Sequence, residues 1–232
     1  MKDIFGKALL DYHNDTCKED IVTWTHISNE DTLPLEYLFR GFEDMPKIEQ
    51  KALKMAKGRT LDVGCGAGSH SLWLQDKGLY VKGIDTSKGA VEVSKKRGIK
   101  NISLKPLLEE TEQFDTILLL MNGTGIFQEL SQVTTYLHHL KSLLLPKGQI
   151  LIDSSDIKYM YEDEDGGTWL DLNQNYYGEL DYFISYKGET EIPMKWLYLD
   201  FQTLKRACLA TGLQCEKVMD GNHFDYLAKI TT

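Results

Sequence analysis

The sequence predicts an α/β fold with a mostly parallel sheet, and three observations indicate it. From Arg59 onward, short apolar strand patterns alternate with helix patterns, as in parallel strands joined by helices. Residues 117–121 are apolar throughout, which is typical of a strand covered on both faces. Near the C-terminus, Asp220-Gly221-Asn222 joins two strands by a connection too short for a parallel crossover. The last strand is therefore predicted to run antiparallel to its neighbour.

The predicted elements follow one another without an internal repeat. Five strands are expected at residues 60–63, 80–84, 102–104, 114–121 and 149–153. Helices are expected between and after them at residues 69–77, 87–97, 128–144 and 200–211. The hairpin adds strands at 213–219 and 224–230, which gives seven strands in all.

Two segments lie outside this alternation. Residues 1–58 precede the first strand, with a helix expected at 46–56, and residues 155–199 separate the fifth strand from the last helix. The second segment is rich in aromatic residues, Trp169 among them, and we expect 182–186 to pair with 194–199 around Lys187-Gly188. Such additions commonly cover the carboxyl edge of a sheet, where ligands bind. We therefore predict an N-terminal arm (1–58) and one domain (59–232) with a lid insertion (155–199).

Composition narrows the function classes. The net charge of −9 and the pI near 5.2 disfavour a DNA or RNA partner, which usually requires a basic face. The densest basic run, Lys95-Lys96-Arg97, is expected to be a solvated helix end. Neither a bilayer-spanning apolar stretch nor a signal-peptide core is visible. The four cysteines have no metal-ligand spacing, so we predict no metal site and a cytoplasmic protein with reduced thiols.

The residues at the ends of the first two predicted strands indicate a function. Residues 61–68 read LDVGCGAG, in which Gly64, Gly66 and Gly68 permit a positive φ or a close approach of the backbone to a ligand. Asp85 lies 23 residues after Asp62, at the end of the next predicted strand, where a carboxylate can accept both ribose hydroxyls. Asp62 itself is a charge on a buried strand, which is unfavourable unless a donor or a cation meets it. The pattern predicts a nucleoside site.

These residues resemble the class I S-adenosylmethionine-dependent methyltransferases. The resemblance also rests on residues 83–87 (GIDTS), 114–117 (FDTI) and 145–149 (LPKGQ), and the C-terminal hairpin extends it. It implies a Rossmann-like, doubly wound seven-stranded sheet with strand order 3-2-1-4-5-7-6 and the last strand antiparallel. It also implies S-adenosyl-L-methionine as the cofactor, S-adenosyl-L-homocysteine as its product, and methyl transfer as the reaction.

The resemblance further implies the cofactor site. The expected cofactor-binding residues are Asp62, Gly64, Cys65, Gly66, Gly68, Asp85, Thr86, Met121 and Asn122. The backbone amide of Thr86 is expected near the adenine, and the carbonyl of Met121 or Asn122 near the methionine ammonium. Many family members place an aspartate after the third strand. This chain has Lys105-Pro106 there, so that adenine contact stays unassigned.

No catalytic base is fixed by the sequence. The methyl group of a sulfonium is already activated, so orientation of the acceptor is the main requirement. A base is needed only where the acceptor loses its proton late. Candidate catalytic residues are His26 and Tyr37 in the arm, Asn122 after the fourth strand and Tyr176 in the insertion. For each of them, packing or surface placement is the simpler interpretation.

The acceptor is predicted to be a small molecule. Residues 121–124 (MNGT) lack the Asn/Asp-Pro-Pro-Tyr turn of enzymes that methylate base amines, which disfavours DNA, while RNA and protein acceptors are left open. The acidic run 162–165 is interpreted as a solvated loop, with attraction of a cationic acceptor as the alternative. Two other functions are weighed: a nicotinamide oxidoreductase, whose glycines follow a G-x-G-x-x-G spacing that this chain lacks, and a protein that binds S-adenosylmethionine without catalysis.

Overall fold

The computed structural model describes residues 2–17, 19–162 and 175–232. These residues form seven α-helices: α1 (Ile4–His13), α2 (Leu35–Leu38), α3 (Lys47–Met55), α4 (Ser69–Asp76), α5 (Lys88–Lys96), α6 (Val133–Ser142) and α7 (Phe201–Ala210). They also form twelve strands: β1 (Ile21–Thr25), β2 (Asp31–Leu33), β3 (Thr60–Val63), β4 (Val81–Asp85), β5 (Ile102–Leu104), β6 (Phe114–Leu119), β7 (Leu144–Ser155), β8 (Glu179–Tyr186), β9 (Glu189–Thr190), β10 (Met194–Leu197), β11 (Gln214–Asp220) and β12 (Asp225–Thr231).

Seven strands form the central sheet, in the order β11-β12-β7-β6-β3-β4-β5. Counted from β3 as the first strand, this is the predicted order 3-2-1-4-5-7-6. The strands β5, β4, β3, β6 and β7 are parallel, and β12 runs antiparallel to both β7 and β11. The predicted fold class is therefore confirmed.

The central strand β6 is covered on both faces. Ile117 and Leu119 join the core beneath α6 and α7, and Leu118 joins the core beneath α3 and α4 on the other face. The apolar run therefore arises because neither face of this strand meets water. The helix predicted at 128–144 is shorter than expected, because Gln128 has a φ of 69° and two 3₁₀ turns precede α6.

A second, antiparallel sheet joins the arm to the insertion. Its strands lie in the order β10-β8-β1-β2, and β9 also pairs with β8. The expected pairing within the insertion is found only in part: Met194 lies opposite Tyr182, but the rest of β10 pairs with residues 179–181. Across Lys187-Gly188, the end of β8 pairs with β9 and not with β10, because the chain turns back at once. The arm strands β1 and β2 were not predicted. Thr25 lies opposite Tyr182, a partner about 150 residues away, which no local pattern indicates. The boundaries at residues 58, 155 and 199 stay predictions.

The arm is also held against the central domain through α1 and α5. Helix α1 approaches α5 so closely that a Cβ on Gly89 would lie 2.3 Å from the backbone of Gly6. Asp3, at the start of α1, accepts hydrogen bonds from the backbone N–H of Gly89 (2.9 Å) and of Gly6 (3.1 Å). Helix α1 is therefore held against the first turn of α5, which follows β4. None of the helices in the described ranges combines the length and the apolar character that a membrane span requires.

Candidate functional site

The glycine-rich turn after β3 requires its glycines. Gly64, Gly66 and Gly68 have φ values of 69°, 54° and 86°, a region that residues with a side chain adopt at a cost. At Gly68 space is also missing, since a Cβ would lie 2.2 Å from Cδ1 of Ile99. At Gly66 nothing lies within 4 Å of such a Cβ. The turn is thus tight on the side that faces the helices and open above Gly66.

Asp85 ties the two strand tips together. Its carboxylate accepts the backbone N–H of Gly66 at 2.9 Å and that of Ser87 at 2.8 Å. Burial raises the pKa of Asp85, and these backbone donors act against that shift. The side chain keeps partial exposure, and each oxygen has a further lone pair for a ligand donor. Thr86 is exposed beside it.

An apolar surface adjoins this carboxylate. Leu104, at the end of β5, lies opposite Asp85 in the sheet and is 45% exposed. Leu108 follows it in a 3₁₀ turn and is also exposed. Exposed leucines next to a polar anchor are suited to a flat apolar ligand group.

Asp62 lies beneath the turn instead of in open space. It is 2% exposed, and the hydroxyl of Ser71 in α4 donates to its carboxylate at 2.6 Å. Burial raises the pKa of Asp62, and the nearby His70 and the Ser71 hydroxyl act in the opposite direction. Its partner in the described structure is thus the helix that follows the turn, and a contact between Asp62 and a ligand stays a prediction.

A buried polar chain connects Asp62 to the arm. Arg40 donates to the carboxylate of Glu49 in α3, and Nε2 of His70 lies 2.6 Å from Oε2 of Glu49. Burial alone would lower the pKa of His70, but the hydrogen bond to Glu49 and the charge of Asp62 raise it overall. Arg40, Glu49 and His70 are thus joined in one buried cluster, and Asp62 lies close enough to His70 for its charge to act on the imidazole. The sequence did not predict this set of contacts between side chains, because the residues that form it lie on separate secondary-structure elements.

Arg97 is not the solvated helix end that was predicted. Its guanidinium donates to the carbonyl of Ala67 at 2.6 Å and lies over the ring of Phe39, 4.9 Å from the centroid. Lys95 and Lys96 are exposed as expected. Arg97 thus joins the glycine turn to the arm.

The segment after β6 forms a left-handed turn. Met121 and Asn122 have φ values of 66° and 60°, which stores about 1 kcal/mol or more for each such residue. Asp153, at the end of β7, supports the turn: its carboxylate accepts the backbone N–H of Met121 at 3.0 Å and that of Gly123 at 2.9 Å. Burial raises the pKa of Asp153 to about 6. Asp153 is the last residue of a predicted strand, and a carboxylate at that position is a sign of a functional site. It was not among the candidate site residues predicted from the sequence.

A cleft of about 300 Å³ lies beside this turn, between the arm and the ends of β6, β7 and β12. The arm and the sheet both contribute to its walls. The lining residues are Tyr37, Pro46, Ile48, Glu49, Met121, Asn122, Asp153, Ser154, Ser155, His223 and Asp225.

The four candidate catalytic residues separate into two groups. Tyr37 and Asn122 line the cleft. The amide of Asn122 accepts from the Ser154 hydroxyl at 3.0 Å and donates to the carbonyl of Leu197 at 3.4 Å, which attaches the turn to the second sheet.

His26 and Tyr176 do not line the cleft. His26 is exposed, and its Nδ1 accepts the backbone N–H of Asp181. The hydroxyl of Tyr176 donates to Asp200 at 2.7 Å, at the start of α7. Residues 163–165 of the acidic run, and Trp169, lie outside the described residues.

Comparison with known proteins agrees with this geometry. Residues 61–152 match a family model described as a methyltransferase domain. The chain is 42% identical to an S-adenosylmethionine-dependent methyltransferase from Bacteroides fragilis solved in complex with S-adenosyl-L-homocysteine, with a TM-score of 0.93 over 100% of this chain and 95% of that one.

A more distant likeness shows the fold alone. The CcbJ methyltransferase from Streptomyces caelestis is 15% identical, with a TM-score of 0.64 over 83% of this chain and 92% of that one. A search of curated proteins gives no match.

Proposed function

Because this chain belongs to the S-adenosylmethionine-dependent methyltransferases, we propose that it methylates a small molecule bound in the cleft beside the Met121 turn. When bound, S-adenosylmethionine supplies an electrophilic methyl carbon on a sulfonium. The observation that supports this proposal most is that the glycine turn, Asp85 and the 300 Å³ cleft all lie at the carboxyl ends of the parallel strands. Because the chain belongs to the methyltransferases, we do not retain the alternative function of a nicotinamide oxidoreductase.

The residues at the strand tips fit the adenosyl part of the cofactor. The unused lone pairs of Asp85 suit the ribose hydroxyls, and Gly66 leaves room above the turn. Leu104 and the amide of Thr86 are suited to the adenine, so an apolar surface takes the place of the aspartate found in many members. This assignment proposes a partner for the adenine that the sequence left open.

The methionine part would extend toward the turn after β6. We assign its ammonium to the backbone carbonyl of Met121 or Asn122, since the left-handed turn presents backbone groups at the edge of the cleft. Asp62 would act on the cofactor through Ser71, by fixing the start of α4. Cys65, which is buried below the turn, would contribute only its backbone.

The chain's own contribution to the reaction is orientation. Asp153 holds the turn, Arg97 holds the glycine loop, and the arm closes the cleft with Tyr37 and Glu49. Fixing two reactants in line supplies several kcal/mol without a dedicated base. A cleft of about 300 Å³ is at the small end of ligand sites, which supports a small acceptor.

Two experiments test the proposal. Calorimetry with S-adenosylmethionine, S-adenosylhomocysteine and NADH should give binding to the two sulfur compounds only. Transfer of labelled methyl groups to a cell extract, separated into low-mass and macromolecular fractions, should label the low-mass fraction. Label in protein or RNA alone would refute the small-molecule acceptor and leave the cofactor assignment intact.

A further inference from the structure

The charges of the cleft indicate which acceptor it suits. We propose that the cleft beside the Met121 turn binds an amine, and that the enzyme is an N-methyltransferase. This inference rests on the proposed function and adds the chemical class of the acceptor.

The lining of the cleft carries more acidic than basic side chains. Glu49, Asp153 and Asp225 are acidic, and among the lining residues in the described ranges only His223 can carry a positive charge. The carboxylate of Glu49 forms an ion pair with Arg40 and also lies 2.6 Å from Nε2 of His70. Within residues 2–17, 19–162 and 175–232, the side chains of Asp153 and Asp225 accept from backbone N–H groups alone, Asp225 from that of His223 at 2.7 Å. Two carboxylates that pair with no cation in the part of the chain that the structure describes therefore line one small cleft.

The remaining lining suits the carbon skeleton of an organic amine. Pro46, Ile48 and Met121 are apolar, and the ring of Tyr37 stands at the arm side of the cleft. Asp153 is only 5% exposed, so its charge acts in a poorly solvated place where electrostatic attraction is strong. The same carboxylates would repel an acceptor that carries a negative charge.

The direction of charge movement during the reaction favours nitrogen. The bound ammonium first releases one proton to solvent. The lone pair of the resulting neutral amine then forms the new C–N bond while the C–S bond breaks, and the electron pair of the C–S bond stays on sulfur. The positive charge thus passes from sulfur to nitrogen, and the methylated ammonium afterwards releases a proton to solvent. Carboxylates placed around the acceptor stabilise this developing charge. A hydroxyl acceptor loses its proton and ends as a neutral ether, so it leaves no positive charge on the acceptor for the carboxylates to stabilise.

Three probes of one shape and different charge test the inference. Benzylammonium, benzyl alcohol and benzoate are titrated by calorimetry into protein saturated with S-adenosylhomocysteine. Benzylammonium is expected to bind about tenfold or more tightly than the other two, the size of a charge-assisted hydrogen bond. Equal or tighter binding of the alcohol or of benzoate overturns the inference, as does the absence of benzylammonium binding.

A pair of variants locates the effect. Asp225→Asn keeps an oxygen for the N–H of His223, and it should weaken benzylammonium about tenfold. The matched control is Asp220→Asn in the same hairpin, whose carboxylate pairs with Lys217 and does not line the cleft. An unchanged affinity in Asp225→Asn, or an equal loss in Asp220→Asn, contradicts the inference. A failure of the protein to bind S-adenosylhomocysteine would instead refute the proposed cofactor site.

Discussion

Replacing Asp153 by asparagine should change how the stability of the protein depends on pH. Burial raises the pKa of Asp153 to about 6 from an ordinary value of 3.8. Because the native carboxyl holds its proton more tightly than the unfolded one, its contribution to stability is complete below pH 3.8 and is lost as the pH rises through 6. At roughly 1.4 kcal/mol per pH unit, the difference amounts to about 3 kcal/mol of unfolding free energy.

The variant removes this titration but introduces a constant loss. The N–H groups of Met121 and Gly123 point at different oxygens of Asp153, and in asparagine an NH2 group replaces one of these oxygens. One N–H group therefore loses its acceptor, and an unpaired buried donor costs about 1–3 kcal/mol. Near pH 4 the variant should therefore be less stable than the wild type. Toward pH 7 the wild type loses its advantage, and the gap should close or reverse.

Urea unfolding at steps between about pH 4 and pH 7.5 measures the two free energies. Asp220→Asn, at an exposed carboxyl paired with Lys217, serves as the control and should follow the wild type throughout. Parallel curves for wild type and Asp153→Asn across this range would show that the carboxyl is not perturbed as described.

Three further changes have expected outcomes. Gly68→Ala should lower the unfolding free energy by about 1–3 kcal/mol, measured by thermal unfolding, because φ is 86° and the new Cβ meets Ile99; a stability equal to wild type would contradict the tight packing. Asp85→Asn should weaken S-adenosylmethionine by about 1.5–3 kcal/mol in calorimetry, through loss of charge-assisted hydrogen bonds; an unchanged Kd would mean that the ribose binds elsewhere. Gly89→Ala should push α1 from α5, since its Cβ would lie 2.3 Å from the backbone of Gly6, and hydrogen exchange of α1 should rise; unaltered protection would argue against the close contact.

The central sheet was predictable because its signals are local. The glycine turn at 64–68, the apolar run at 117–121 and the Asp-Gly connection at 220–221 each act within a few residues. Strand order then followed from the family resemblance. The placement of Asp85 beside the glycine turn was expected from the ends of the same two strands, but its hydrogen bond with the N–H of Gly66 was not predicted.

The remaining features depend on partners far apart in the sequence. Pairing of Thr25 with Tyr182 follows from neither segment alone. The role of Arg97 depends on where the carbonyl of Ala67 comes to lie, and that of Glu49 on His70. Tyr176 looked like a possible catalytic group, yet its hydroxyl is taken up by Asp200 at the start of α7. Each of these contacts depends on tertiary packing, and no local pattern or periodicity in a single sequence predicts it.

The second sheet makes the N-terminal arm and the insertion depend on each other, because strand β1 of the arm pairs with strand β8 of the insertion. Val22 to Thr25 hydrogen-bond with residues 182–185, and Leu197 in turn holds the turn beside the cleft. In a chimera that takes only one of these two segments from a homologue, the side chains facing each other across the β1–β8 pair would come from different proteins and would not match. Laboratory evolution of a new substrate range would therefore have to recombine both stretches together.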